Sequence, residues 1–71
     1  MTRSVLQLMN QYGGWALIDD GKPSLWFPER SSALETASIM ASARSAFRGQ
    51  PTCVQAQNED GGAMEVVAVY E

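Results

Sequence analysis

Residues 14–27 read GWALIDDGKPSLWF, and how this stretch folds back on itself decides which side chains share a surface. Asp20-Gly21 is a two-residue hairpin signal, because both central positions of such a turn need a left-handed backbone that Asp and Gly tolerate. The flanks predict two short strands, 15–19 and 24–27, rich in large apolar residues. Pro23 has no N–H to donate and limits pairing beside the turn. With Asp20 and Gly21 at the turn centre, Asp19 opposes Lys22 and Trp15 opposes Trp26. Alternation then puts Trp15, Leu17, Ser24 and Trp26 on one face, and Ala16, Ile18, Leu25 and Phe27 on the other. The second set is uniformly apolar and is the expected seat of a helix.

That helix follows in the sequence. Ser32-Ala33-Leu34-Glu35 matches a capping box, in which the serine oxygen accepts a backbone N–H and the glutamate reaches back. A helix over 32–48 is predicted, with Gly49 as stop residue and Pro51 beyond it. Arg44 and Arg48 lie near its end, where positive charge complements the helix dipole. At about 100° per residue, Ala33, Thr36, Ile39, Met40, Ala43, Ala46 and Phe47 form one arc without a charge, the expected core face. Beside it lie Leu34, Ala37, Ala41, Arg44 and Arg48, a mixed surface; Glu35 and the serines 38, 42 and 45 complete the solvated side.

Further strands are expected over 5–11, 52–57 and 64–70, with turns at Gly13-Gly14 and at residues 58–62. In the last strand Met64, Val66, Ala68 and Tyr70 alternate together. The expected fold is a single α+β domain over 1–71, an antiparallel sheet of four to five strands with one helix packed on one face, in the order ββ(β)αββ.

Composition narrows the functional classes. Of 71 residues, 45% are hydrophobic and 18% charged, below the roughly 25% charged of an average globular chain. So few charges cover a monomer's surface poorly and point to self-association. The net charge of −3 argues against generic nucleic-acid binding, which relies on clustered Lys and Arg. Cys53 is alone and reads as a small buried residue of a strand; it cannot form an internal disulfide, and no zinc site can be assembled around it without histidine. Histidine is absent, which removes the usual general base. Asp19-Asp20 and Glu59-Asp60 read as turn residues, and neither glycine pair is followed by the lysine and helix of a phosphate loop. The expectation is no enzyme, no cofactor and no metal. No signal peptide or membrane span is read, so a cytoplasmic location is expected.

One helix covers one face of a sheet, and the other face of a monomer should be polar. In the register above, Trp15, Leu17 and Trp26 stand on that open face, and Leu34, Ala41, Arg44 and Arg48 line the helix side next to the core arc. These seven residues are the candidate interaction surface. The first functional reading is a non-catalytic interaction or regulatory module, homodimeric, that binds a partner protein through the sheet face or the helix side. A second is a nucleic-acid-binding regulator using Arg30, Arg44 and Arg48 or the two tryptophans as stacking platforms. A third is a small-ligand pocket lined by the tryptophans.

Gly14-Trp15-Ala16-Leu17, Ser31-Ser32-Ala33 with the alanine-rich helix, Gly49 and Asp60-Gly61 together resemble a pattern found in short bacterial proteins of unknown function. In those a "GGWAV" strand precedes an "A-x-x-A" helix and a closing hairpin. The resemblance spans residues 5–70 and implies a ββαββ arrangement. It departs in a longer hairpin with a second tryptophan and in an acidic, histidine-free composition. It carries over no functional residue.

Overall fold

The computed structural model describes residues 3–60 and 62–71. Gly61, part of the expected last turn, and the first two residues lie outside them. The elements are β1 (Ser4–Gln11), β2 (Gly14–Asp19), β3 (Lys22–Phe27), α1 (Arg30–Arg48), β4 (Thr52–Gln57) and β5 (Met64–Tyr70). The domain is α+β, with α1 packed on one face of a five-stranded sheet of order β3-β2-β1-β4-β5. The sheet is mixed, not antiparallel throughout. From the β3 edge, α1 carries the chain across the sheet and delivers β4 alongside β1 in the same direction, pairing Leu6 with Val54 and Leu8 with Ala56. Such a long crossover is what a parallel pair requires.

Two tight turns build the other side of the sheet. At Asp20 and Gly21 φ is 49° and 87°, so both central residues take the left-handed conformation the sequence signal implies. The first hairpin turns at Tyr12-Gly13, one residue before the expected pair, and Gly14 already belongs to β2.

The hairpin register departs from expectation. Asp19 pairs with Lys22 as expected, but an irregularity between Leu17 and Ile18 inserts one extra residue on β3, so that Ile18 faces Pro23 and Leu17 faces Leu25. Trp15 therefore opposes Phe27, and Trp26 opposes Ala16. The cause is local. Pro23 cannot donate to the ladder, and the strand accommodates this by bulging at Ser24. Such a one-residue slip exchanges the faces of the β3 residues that follow it, Leu25 to Phe27, relative to β2. Trp15 and Leu17 are core residues beneath α1, with Phe27 packed beside them, and Ala16, Ile18 and Trp26 turn to the open face. A second irregularity, between Val54 and Gln55, splits β5 likewise: Ala68 and Tyr70 pack on the core, while Val66 pairs with Gln55 on the open face.

The helix also meets the sheet through a different face. Its buried residues are Ala33, Ala37 and Ala41, all without exposure, whereas Ile39 is 63% and Phe47 88% exposed. Of the expected core arc only Ala33 is buried, with Thr36 and Met40 partly so. Volume complementarity explains the choice. The sheet already supplies Leu6, Leu8, Trp15, Leu17 and Val54 to this layer. A helix presenting methyl groups can lie close on those large side chains, and a helix presenting Ile and Phe would be held away.

The helix starts at Arg30 with Glu29 in the N-cap position and no side-chain cap, so the capping box at Ser32 is not formed. A tertiary contact sets the start. The Arg30 guanidinium donates to the Gln57 carbonyl at 3.1 Å and sits 5.4 Å from the Trp15 ring centroid, fastening the first turn to β4. Gly49 ends the helix as expected, at φ 60°, and its N–H and that of Gln50 both return to the Arg44 carbonyl.

Candidate functional site

The strand registers place the open face without ambiguity. The central strand β1 presents Val5, Gln7, Met9 and Gln11, and β2 presents Gly14, Ala16 and Ile18. From β3 come Pro23 and Trp26, from β4 Cys53, Gln55 and Gln57, and from β5 Met64, Val66 and Val69. Among the described residues no strand position on this face carries a charge. Every charged strand residue (Asp19, Lys22, Glu65) falls on the helix side of the register. Arg3 and Glu71, just past the ends of β1 and β5, pair with each other at 3.1 Å.

Three local arrangements give this face its relief. At one end Trp26 lies over Gly14: a Cβ there would stand 2.4 Å from both the indole ring and the Phe27 carbonyl oxygen, so only glycine admits the ring. The indole N–H donates to the Gln11 carbonyl at 3.0 Å, while 48% of the residue stays exposed. Trp26 thereby walls a shallow groove of about 480 Å³ with Tyr12, Ala16, Pro23 and Leu25. At the centre the Gln7 amide donates to the Gln55 oxygen at 3.0 Å, joining the two central strands. Towards the other end Val66 and Val69 are exposed, and Cys53 is buried in register between Val5 and Val69.

A second exposed ridge runs along the outside of α1. Ile39, Ala43, Ala46 and Phe47 line a shallow groove of about 460 Å³ with Ser38, Ser42 and Tyr70.

The expected surface residues divide. Trp15, Leu17 and Ala41 are core, and Leu34 packs half-buried against them. Trp26 does stand on the open face. Arg44 is engaged: its guanidinium donates to both Asp19 carboxylate oxygens, one at 3.0 Å, and to the Ser4 hydroxyl at 2.8 Å. The Arg44 hydrogen bonds hold the Asp19 carboxyl below its usual range against a smaller opposing effect of burial, and the same bonds raise the Arg44 value. Arg48 is exposed. The arginine stripe is thus divided, with Arg30 and Arg44 holding α1 to the sheet.

Gln7, Met9, Ile18, Gln55 and Val69 were absent from the sequence-based surface. The alternation of Val5, Gln7, Met9 and Gln11 along β1 was the available signal; it shows an uncharged strand side but not which side the helix takes. Among the described residues, no group of three or more His, Cys, Asp or Glu side chains could hold a metal ion, and no helix is long and apolar enough to cross a membrane. No protein-family model, curated protein or solved structure matches this chain.

Proposed function

We propose that this chain is a non-catalytic protein-interaction module that self-associates through its open sheet face and keeps the outer ridge of α1 turned outward to receive a partner protein. One observation carries the reading: a five-stranded sheet face with no charged side chain among its described strand positions. A solvated sheet face normally alternates to polar and charged residues. Apolar side chains left exposed on one sheet face, here Trp26, Val66 and Val69, point to a contact surface, and depletion of charge at the centre with charged residues at the rim is the common anatomy of an interface. The engagement of Arg30 and Arg44 in holding the helix gives a phosphate-contacting role little support.

Met9→Lys tests the reading. Met9 sits on the central strand with its side chain on the open face, so the substitution leaves the core untouched. Light scattering across a concentration series is expected to show association of the unmodified chain and its loss, by about 100-fold in dissociation constant, in the variant, since an unpaired ammonium would have to enter an apolar contact. An unmodified chain that stays monomeric throughout, or a variant that associates equally well, overturns it.

A further inference from the structure

Resting on that reading of the open face, we propose that its occupant is a second copy stacked face to face about a two-fold axis that runs along the strands and passes over the Gln7–Gln55 pair. The two glutamines fix the register of the assembly. Gln7 lies midway along β1, the middle strand of the sheet, and Gln55 midway along the neighbouring β4, so the pair marks the centre of the face.

Each carboxamide offers an oxygen that accepts and an NH2 group that donates. A single hydrogen bond joins the two side chains within the chain. Whichever amide donates in that bond, the pair still presents one acceptor oxygen and one donor NH2 to the open side. A two-fold axis along the strands sets β1 over the partner's β4. Gln55 then donates to the partner's Gln7, Gln7 accepts from the partner's Gln55, and four amides close into a ring. An isologous contact demands this kind of reciprocity, residue to residue in both directions. A different protein would have to supply a separately matched donor and acceptor at the same spot.

The surrounding face fits the same occupant. A two-fold along the strands keeps the strands of the two sheets aligned, which is the common way for sheets to stack. In this stacking β2, β1, β4 and β5 lie over the partner's β5, β4, β1 and β2, and four strands about 4.8 Å apart with six residues of about 3.3 Å give a flat footprint of roughly 380 Å². Side-chain relief raises the accessible area above that figure, towards the roughly 800 Å² that each partner contributes to an interface of standard size. Edge pairing through β5 would extend the sheet but leave Met9 and the Gln7–Gln55 pair uncovered.

The test uses the full chain with Gln7→Glu, with Gln55→Lys, and with an equimolar mixture of the two. Circular dichroism and tryptophan emission establish that each variant is folded; both positions face away from the core. Sedimentation equilibrium is expected to show dimerisation weakened by about 100-fold for each variant alone, where charges meet no opposite partner. In the mixture the carboxylate introduced on one chain meets the ammonium introduced on the other across the axis, while the second site keeps its glutamines. The heterodimer is therefore expected within about tenfold of the unmodified dimer. Failure of the mixture to recover, or two single variants that dimerise like the unmodified chain, overturns the glutamine-centred two-fold. If Met9→Lys still dissociates the dimer in that event, the open face remains the contact and only its register is wrong. An unmodified dimer broken by Val67→Pro in β5 and by no open-face substitution moves the contact to the sheet edge and overturns both readings.

Discussion

The two faces of this sheet are built from the same strands and differ in what lies on them. The covered face presents Leu6, Leu8, Leu17 and Val54, all without exposure, beneath a helix reduced to alanine where it touches them. The open face presents Met9, Ala16, Ile18, Trp26 and Val69 around a pair of hydrogen-bonded glutamines. Both are free of charge at their centres. Folding accounts for the first: shape matching between large sheet residues and small helix residues gives a dry core. It does not account for the second, where charged side chains in place of Met9, Trp26, Val66 and Val69 would serve a monomer better. Uncharged side chains there, with a central amide pair, suit a surface that is covered in a second step, after the chain has folded.

Neighbours on β1 test this division most severely. Leu8 points into the core and Met9 to the open face. Leu8→Ala is expected to cost about 2–5 kcal/mol, which approaches the entire stability, roughly 3–5 kcal/mol, that one small core supplies. Met9→Ala, measured on dilute monomer, is expected to cost under about 1 kcal/mol, because water already reaches the side chain. Urea titration followed by circular dichroism compares them; equal losses would mean that the open face is as much a part of the folded core as the covered one.

The alanine seam is the next point of attack. Ala37 lies at the middle of the helix face against the sheet and has no exposure. Ala37→Leu keeps a good helix former and adds apolar volume, so a hydrophobicity count favours it. The close approach of helix to sheet predicts the reverse, a loss of about 1–3 kcal/mol from overpacking, read from the midpoint of thermal unfolding. A gain in stability would show that the seam has room and that the alanines are not chosen for size.

The same seam shows what was legible from sequence and what was not. The elements themselves were readable, because each rests on local chemistry: Asp20-Gly21 for a turn, Gly49 for a helix end, β-branched runs for strands. The face assignments were not. Ranking helix residues by hydrophobicity selects Ile39 and Phe47 for the core, yet the sheet supplies the bulk and the helix has to supply closeness. The hairpin hid its bulge in one missing donor at Pro23, and that slip put Phe27, not Trp26, on the face of Trp15. Parallel pairing of β1 with β4 depends on where the crossover lands, a relation between distant residues that no short window contains. Of the expected surface, Trp26 was found on the open face; the central glutamines became visible only once both neighbouring strands were in register.

A smaller and pH-dependent effect separates the two faces electrostatically. The covered side holds the Asp19–Arg44 pair at its margin, with Asp19 lowered chiefly by its hydrogen bonds to Arg44. A carboxylate whose folded value lies below its unfolded value stabilises the fold fully above the unfolded pKa of about 3.9, and that contribution is lost as pH falls through the folded value. Asp19→Asn is therefore expected to cost about 1–2 kcal/mol at neutral pH, as Arg44 keeps only part of its hydrogen bonding. The difference from the unmodified chain should shrink steadily below about pH 4. Thermal unfolding at a series of pH values measures it; a difference that is unchanged at pH 2 would assign the loss to packing and not to charge.

The smallest effect is expected on the outer ridge of α1. Phe47 is the larger and more exposed of its two bulky residues, and on a monomer it rests largely in water. Phe47→Ser should change stability by no more than about 0.5 kcal/mol, and it should leave self-association through the open face unaltered, since the ridge lies on the opposite side of the sheet. Differential scanning calorimetry and light scattering on one preparation check both halves. A clear loss of stability would mean that Phe47 folds down onto the helix end and is a satellite of the core. A loss of association at unchanged stability would move the self-contact from the sheet to the helix, because the same chain would then be using its second uncharged surface, the one that alanine packing turned outward, to meet its copy.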